Sequence, residues 1–227
     1  MFYATMASCL GTIQLRSNGT HLTGVYFTDQ KDCPRQGELT DAPASRPSPA
    51  AGTMHGMAIR NFKIYRPTDA GLFGHDAMAQ AHAANSTSGG DHIAPDDAGL
   101  SLGQTDTPPA IRAVFRRAQG ELNEYFAGKN HAFTVPLQLQ GTEFQKRVWE
   151  ALLTIPYGQY VSYGELAQRV GLEARHGRPV GTAVGRNPVS IIVPCHRVIS
   201  GAGTLTGYTG GLERKVALLE LEGFAFR

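Results

Sequence analysis

Val161-Ser162-Tyr163-Gly164-Glu165-Leu166-Ala167-Gln168-Arg169-Val170-Gly171 is followed, eight residues on, by Pro179-Val180-Gly181-Thr182-Ala183-Val184-Gly185. Ser162 and Glu165 have capping-box spacing, in which each side chain satisfies the other's backbone N–H, so a helix starts there. Leu166, Ala167 and Val170 give it an apolar face, and Gly171 ends it. A second helix is expected from Pro179, lined by Gly181, Thr182, Ala183 and Gly185. Two short helices around a short turn are the geometry of a helix-turn-helix. Small side chains on the second helix suit a close approach to a nucleic-acid groove and tight helix packing equally well.

Working upstream, Thr142 and Gln145 form another capping box, opening a helix over Phe144, Val148, Ala151, Leu152 and Ile155 that Pro156-Tyr157-Gly158 stops. Thr107-Pro108-Pro109 opens an earlier helix, with Ile111, Val114, Phe115, Ala118, Leu122, Tyr125 and Phe126 at helical spacing up to Gly128. Residues 3–27 alternate loosely. Thr12 to Leu15 and Leu22 to Phe27 read as two strands joined at Ser17-Asn18-Gly19, in a small antiparallel sheet.

Between these parts the character changes. Eight of the 13 prolines fall from Pro34 to Pro109, among Ala-, Ser-, Gly- and Asp-rich tracts, so residues of about 35–106 read as a disordered insertion. Within it, Ile59 to Tyr65 has the composition of a short strand. His55, His75, His82 and His92 lie there without metal-ligand spacing, and no metal site is expected. Downstream, Ser190 to Val193 reads as a buried strand ended by Pro194, the glycine-rich Gly201 to Gly211 as a loop, and Leu212 to Glu222 as a final helix stopped by Gly223.

Composition narrows the class. The 227 residues contain no apolar run of the ~20 residues a membrane span needs. No basic, then apolar, leader follows Met1. Three cysteines make an odd set that argues against a disulfide framework. A cytoplasmic protein with no membrane partner is expected. The net charge of +2 hides an asymmetry: residues 34–109 sum to −3 and residues 141–227 to +3, the latter without one Asp. A basic second half permits a polyanionic partner without demanding one.

The candidate chemistry sits in Pro194-Cys195-His196-Arg197. Proline ends the apolar run and puts the thiol in a turn. His196 can act as base, and Arg197 adds a potential that favours thiolate. Consecutive residues cannot share one face of a strand, so a water or a turn must link Cys195 to His196. Glu222 is a carboxylate at a helix C-terminus, where it opposes the macrodipole at a cost of about 0.3–1 kcal/mol. Such a position suits a functional carboxylate and a frayed, solvated one alike. Cys9 and Cys33 have no comparable context.

Asn187-Pro188, Pro194-Cys195-His196-Arg197-Val198 and Gly207-Tyr208-Thr209-Gly210-Gly211, with Phe144 to Trp149, Ile155 to Gly158 and Val161 to Ala167 upstream, resemble the O6-alkylguanine-DNA alkyltransferases. The resemblance covers residues 111–227 nearly continuously and 3–27 loosely. It implies an α+β protein: an N-terminal domain (1–140) with a ribonuclease H-like antiparallel sheet, and a helical C-terminal domain (141–227) with a winged helix-turn-helix. It implies irreversible, single-turnover transfer of an alkyl group from O6 of guanine, or O4 of thymine, to Cys195. The partner is then double-stranded DNA carrying O6-alkylguanine, met by a monomer that uses no cofactor.

By the same resemblance, His196 takes the thiol proton through a water and Glu222 holds the imidazole. Tyr163 donates to the purine as the oxygen leaves, and Asn187 braces the turn before the active-site segment. Arg178 fills the gap left by a flipped nucleotide, with Thr182 and Ala183 beside it at the DNA. Val198, Tyr208 and Thr209 line the base pocket. The chemistry suits these types: a soft thiolate attacks an alkyl carbon, a phenol in a dry pocket neutralises the leaving oxygen, and the base must leave the stack to be reached.

The chain departs from the family pattern at Cys9, at Pro179 after the finger arginine, in a longer turn around Arg175-His176-Gly177, and in the insertion. Some members bind zinc in the first domain; no matching ligand set is present. Two other readings remain: a damage sensor on the same scaffold, which Cys195 argues against, and a hydrolase using Cys195, His196 and Glu222 as a triad.

Overall fold

The computed structural model describes residues 1–34, 64–65 and 99–226. The four histidines of the central tract and the first part of its expected strand lie outside these residues. Three strands open the chain, β1 (Phe2–Met6), β2 (Ile13–Ser17) and β3 (Leu22–Phe27). β4 is Ile64–Tyr65 and β5 is Leu100–Leu102. The main sheet is antiparallel in the order β3-β2-β1-β5. β1 adds a third strand to the expected pair.

β5 corrects the far boundary of the stretch read as irregular. It pairs Ala4 with Leu102 and Met6 with Leu100, and Leu100 is buried. Three residues beside Gly- and Asp-rich neighbours are too short to carry a period-two signal.

Among the described residues five α-helices follow or interleave: α1 (Pro109–Phe126), α2 (Glu143–Leu153), α3 (Tyr163–Arg169), α4 (Gly177–Gly185) and α5 (Leu212–Leu221). α1 buries the seven apolar positions expected of it and packs across the sheet. Both capping boxes form, Gln145 N donating to Thr142 Oγ1 at 3.2 Å and Glu165 N to Ser162 Oγ at 3.1 Å. α4 begins at Gly177, two residues before the expected start, after a 3-10 turn at Ala174–His176. Pro179 falls in its first turn, where no intrahelical donor is missed.

Short strands complete the second half. β6 (Val161–Ser162) pairs in parallel with β7 (Val198–Ile199), and β8 (Ala225–Phe226) pairs with β4. Ile64 joins Ile199, Leu205, Leu219 and Phe224 in a small apolar cluster. The main core runs unbroken from β1–β3 and α1 into α2–α4 and the segment before Cys195. Val25 on β3 bridges directly to Val189. Among the described residues, no helix is long and apolar enough to cross a membrane, and no group of three His, Cys, Asp or Glu could hold a metal.

Candidate active site

Ser190 to Val193 is buried as expected, but it is not a strand. Ile191 has φ of 73°, and Ile192 N donates to Ser190 O at 2.9 Å, a γ-turn at a β-branched residue. Pro194 (φ −81°, ψ 63°) makes the inverse γ-turn, with Cys195 N donating to Val193 O at 2.8 Å. An unbroken apolar run reads the same whether it is a buried strand or a buried chain of turns. Asn187 takes the place of a neighbouring strand. Its Nδ2 donates to Val193 O at 2.8 Å, Val189 O at 3.3 Å and Cys195 Sγ at 3.1 Å, while its Oδ1 accepts from Val189 N at 3.0 Å.

Cys195–Arg197 is a single 3-10 turn that points three consecutive side chains inward. His196 Nε2 lies 2.8 Å from Glu222 Oε1. Arg197 Nε donates to both oxygens of Glu222 at 3.1 and 2.9 Å, and its Nη2 to Oε1 at 2.9 Å. The Tyr125 hydroxyl donates to Oε1 at 2.8 Å, and Gly158 N to Oε2 at 3.2 Å. Burial alone would raise the Glu222 pKa; the hydrogen bonds and charges of His196 and Arg197 outweigh it and hold it at about 2. An ionised carboxylate only accepts, so His196 carries its proton on Nε2. His196 Nδ1 is then a buried acceptor with no hydrogen-bond partner. Burial lowers the His196 pKa, against the pull of Glu222, and keeps the ring neutral and able to take a proton.

On the sulfur side, burial pushes the Cys195 thiol up, while the Asn187 hydrogen bond and then the Lys215 charge pull it back. This corrects the expectation for Arg197, whose charge is spent on Glu222. Lys215 is fully buried and its Nζ donates to Val198 O at 2.6 Å. Burial lowers its pKa to about 8, a shift that Cys195 opposes. Val198 itself is fully buried on β7. The Tyr163 hydroxyl, at the start of α3, lies 2.8 Å from Thr206 Oγ1. Burial raises its pKa, so the phenol keeps its proton. The Tyr208 hydroxyl has no hydrogen bond of good geometry, yet burial and then the nearby Cys195 raise its pKa well above the usual range.

Tyr125, Lys215 and Thr206 were not apparent from sequence. Tyr125 and Lys215 occupy inward positions of amphipathic helices, where pattern reads burial and not chemistry. A fully buried tyrosine does need a partner for its hydroxyl, and that was the available signal.

The DNA-binding domain model of 6-O-methylguanine DNA methyltransferase matches residues 143–224. A methylated-DNA–protein-cysteine methyltransferase of Mycobacterium tuberculosis is 59% identical over 109 residues, 48% of this chain and 66% of that protein, just under two thirds of its length. One from Mycolicibacterium paratuberculosis is 52% identical over 120 residues, covering 53% of this chain and 70% of the relative. The crystal structure of Mycobacterium tuberculosis OGT in complex with DNA aligns with a TM-score of 0.61 at 35% identity, over 97% of this chain and 92% of that one. The chain belongs to the methylated-DNA–protein-cysteine methyltransferase family.

The helix pair α3–α4 packs through glycine. A Cβ on Gly177 or Gly181 would stand 3.3 or 3.4 Å from Tyr163 carbons, so α4 lies directly on that ring. Ala183 is buried and its carbonyl accepts from Trp149 Nε1 at 2.8 Å. Helix packing claims this face of α4. Arg178 and Thr182 are exposed on the other side, with Arg186 just past the helix end. Thr209 Oγ1 donates to Gly185 O at 2.8 Å, tying the Tyr208 loop to the end of α4.

Proposed function

We propose that this chain repairs double-stranded DNA by moving a methyl or larger alkyl group from O6 of guanine onto Cys195, once per molecule. The observation that carries the reading is a buried thiol followed in the chain by a buried, neutral imidazole, whose Nε2 is held by Glu222 and whose Nδ1 is free to accept. The thiol stays protonated at rest. As the alkylated base seats, a water between Sγ and Nδ1 relays the proton to His196, and the ionised Glu222 stabilises the imidazolium that forms. Lys215 supplies a buried positive charge to the thiolate, and Asn187 fixes the sulfur's direction.

The thiolate then displaces the purine oxygen from the alkyl carbon. The C–O bond breaks, an S–C bond forms, and the electron pair moves onto the purine. Tyr163, in contact with Thr206, donates to the leaving base. The thioether has no step that returns the thiol.

The exposed face of α4 is read as the groove-facing helix of a winged helix-turn-helix, with Arg178 filling the space of an extruded nucleotide. Val198, Tyr208 and Thr209 are read as the base pocket, and the antiparallel sheet as a ribonuclease H-like domain spanning residues 1–140. O4-alkylthymine fits the same chemistry.

Stoichiometry tests the reading. Methyl transfer from O6-methylguanine duplex should stop at one equivalent per protein, whereas repeated turnover of an ester would favour the hydrolase. Arg178→Ala should slow repair of duplex DNA at least about tenfold while sparing the free base O6-benzylguanine, which needs no extrusion. Equal losses on both substrates would make Arg178 a structural residue.

A further inference from the structure

Arg214, in the first turn of α5, joins three parts of the chain. Its Nε donates to Leu10 O at 2.7 Å, its Nη1 to Gly210 O at 2.8 Å and its Nη2 to Asp29 Oδ2 at 2.9 Å. Its guanidinium carbon stands 4.2 Å from the centroid of the Phe27 ring. Leu10 lies in the turn between β1 and β2, and Phe27 and Asp29 lie at and just past the end of β3. Gly210 belongs to the loop that carries Tyr208 and Thr209. The Arg214 side chain is only 20% exposed.

The loop also touches the sheet directly. A Cβ on Gly210 would stand 2.8 Å from Tyr208 Cε1 and 3.0 Å from Phe27 Cδ2. Gly210 therefore lets Tyr208 and Phe27 close over the backbone at one point. With Gly207, Gly210 and Gly211, the loop has little stiffness of its own. A planar guanidinium can serve three acceptors in fixed directions, which a lysine ammonium on a flexible stem does not reproduce.

We propose that Arg214 is a positioning residue for alkyl transfer: it docks the 207–211 loop onto the N-terminal sheet, keeps Tyr208 beside Cys195, and so sets the room left for the alkyl group. The proposal rests on the reading of Cys195 as alkyl acceptor. In this arrangement the sheet has a direct say in the width of the pocket. Misplacement of a pocket wall by about an ångström can cost on the order of a hundredfold in rate.

The test compares wild type, Arg214→Met and Arg214→Lys. Methionine keeps an apolar stem for Phe27 and removes every donor. Transfer rate constants are measured at saturating O6-methylguanine duplex and with free O6-benzylguanine, together with the DNA Kd and amide exchange across residues 207–211. Arg214→Met should lose about tenfold in the saturated methyl rate constant, with the Kd within about twofold. It should also shift the benzyl-to-methyl rate ratio toward benzyl by about threefold or more, and Arg214→Lys should recover part of both.

A folded Arg214→Met with wild-type rate constants and ratio overturns the proposal, as does a loss confined to Kd. Should the methionine variant fail to fold, faster amide exchange at 207–211 together with the shifted rate ratio in Arg214→Lys supports the proposal; wild-type exchange or ratio there overturns it. A wild-type chain that transfers no alkyl group from either substrate overturns the underlying reading instead, a separate result.

Discussion

The two sides of the His196 ring are built differently. On the Nε2 side, Glu222 accepts from His196, Arg197, Tyr125 and Gly158, and Arg197 Nη1 donates onward to Ile155 O at 2.6 Å. On the Nδ1 side, the ring nitrogen has no hydrogen-bond partner, the Tyr208 hydroxyl has none of good geometry, and the buried Lys215 places its charge near the sulfur. One side is saturated and holds geometry; the other leaves the imidazole nitrogen open to a reacting molecule. Satisfied buried networks rigidify a site, and unsatisfied ones cost stability that a function must justify. In the proposed mechanism, order on one face and an open nitrogen on the other would let a neutral imidazole act as base without drifting.

Breaking the saturated side should do the most damage. Glu222→Ala leaves Arg197 buried without its counter-charge, a loss of about 3–5 kcal/mol in denaturant unfolding, with transfer abolished. A variant as stable as wild type would show that the network is ornamental. Cys195→Ser, on the open side, should abolish transfer equally but move stability by less than about 1 kcal/mol and leave DNA binding intact. Residual transfer above a few per cent would sink the acceptor assignment.

Lys215→Met sharpens the contrast further. Replacing a buried, uncompensated ammonium by an apolar chain should leave the melting temperature unchanged or raised. The same change should slow transfer about tenfold, because the thiolate loses its nearest cation. A lower melting temperature with an unchanged rate would reverse that assignment.

Acid should probe both sides in the same direction. The Glu222 pKa is held at about 2 in the folded chain against an ordinary 4.5, so its contribution is full above pH 4.5 and is lost as pH falls toward 2. His196 is also lowered from 6.5, so the unfolded chain takes up its proton first and stability begins to drop below about pH 6.5. Thermal melts from pH 7 to pH 3 should show a steady fall, and Glu222→Gln should flatten the part below pH 4.5. The smallest effect is expected farthest from the ring. Removing residues 67–97 while keeping Ile64–Tyr65 and Leu100–Leu102 should leave the transfer rate within about twofold, since loop-closure entropy changes slowly with length.

Local chemistry explains which parts of this site were legible. Capping boxes at Thr142 and Ser162 announced their helices because two residue types at one spacing have one use. Cys195, His196, Asn187, Glu222 and Tyr163 were picked out by motif, and the structure brings them into one neighbourhood. The turns at Ile191 and Pro194 were hidden, because a run buried on all sides carries no periodicity. β5 was hidden by brevity, and Ala183 by a small side chain that serves packing and groove approach alike. Tyr125, Lys215 and Arg214 act through contacts 97, 17 and 204 residues away in sequence, distances that no local pattern reports.

In the proposed reaction the open side of the His196 ring activates Cys195 to take an alkyl group and keep it. Intact-mass measurement after incubation with O6-methylguanine duplex, followed by peptide mapping, tests it most directly. The protein should gain one methyl group per chain, located on Cys195, with no further gain on prolonged incubation. An unmodified protein, or a methyl group mapped to Cys9, Cys33 or any other residue, would contradict it.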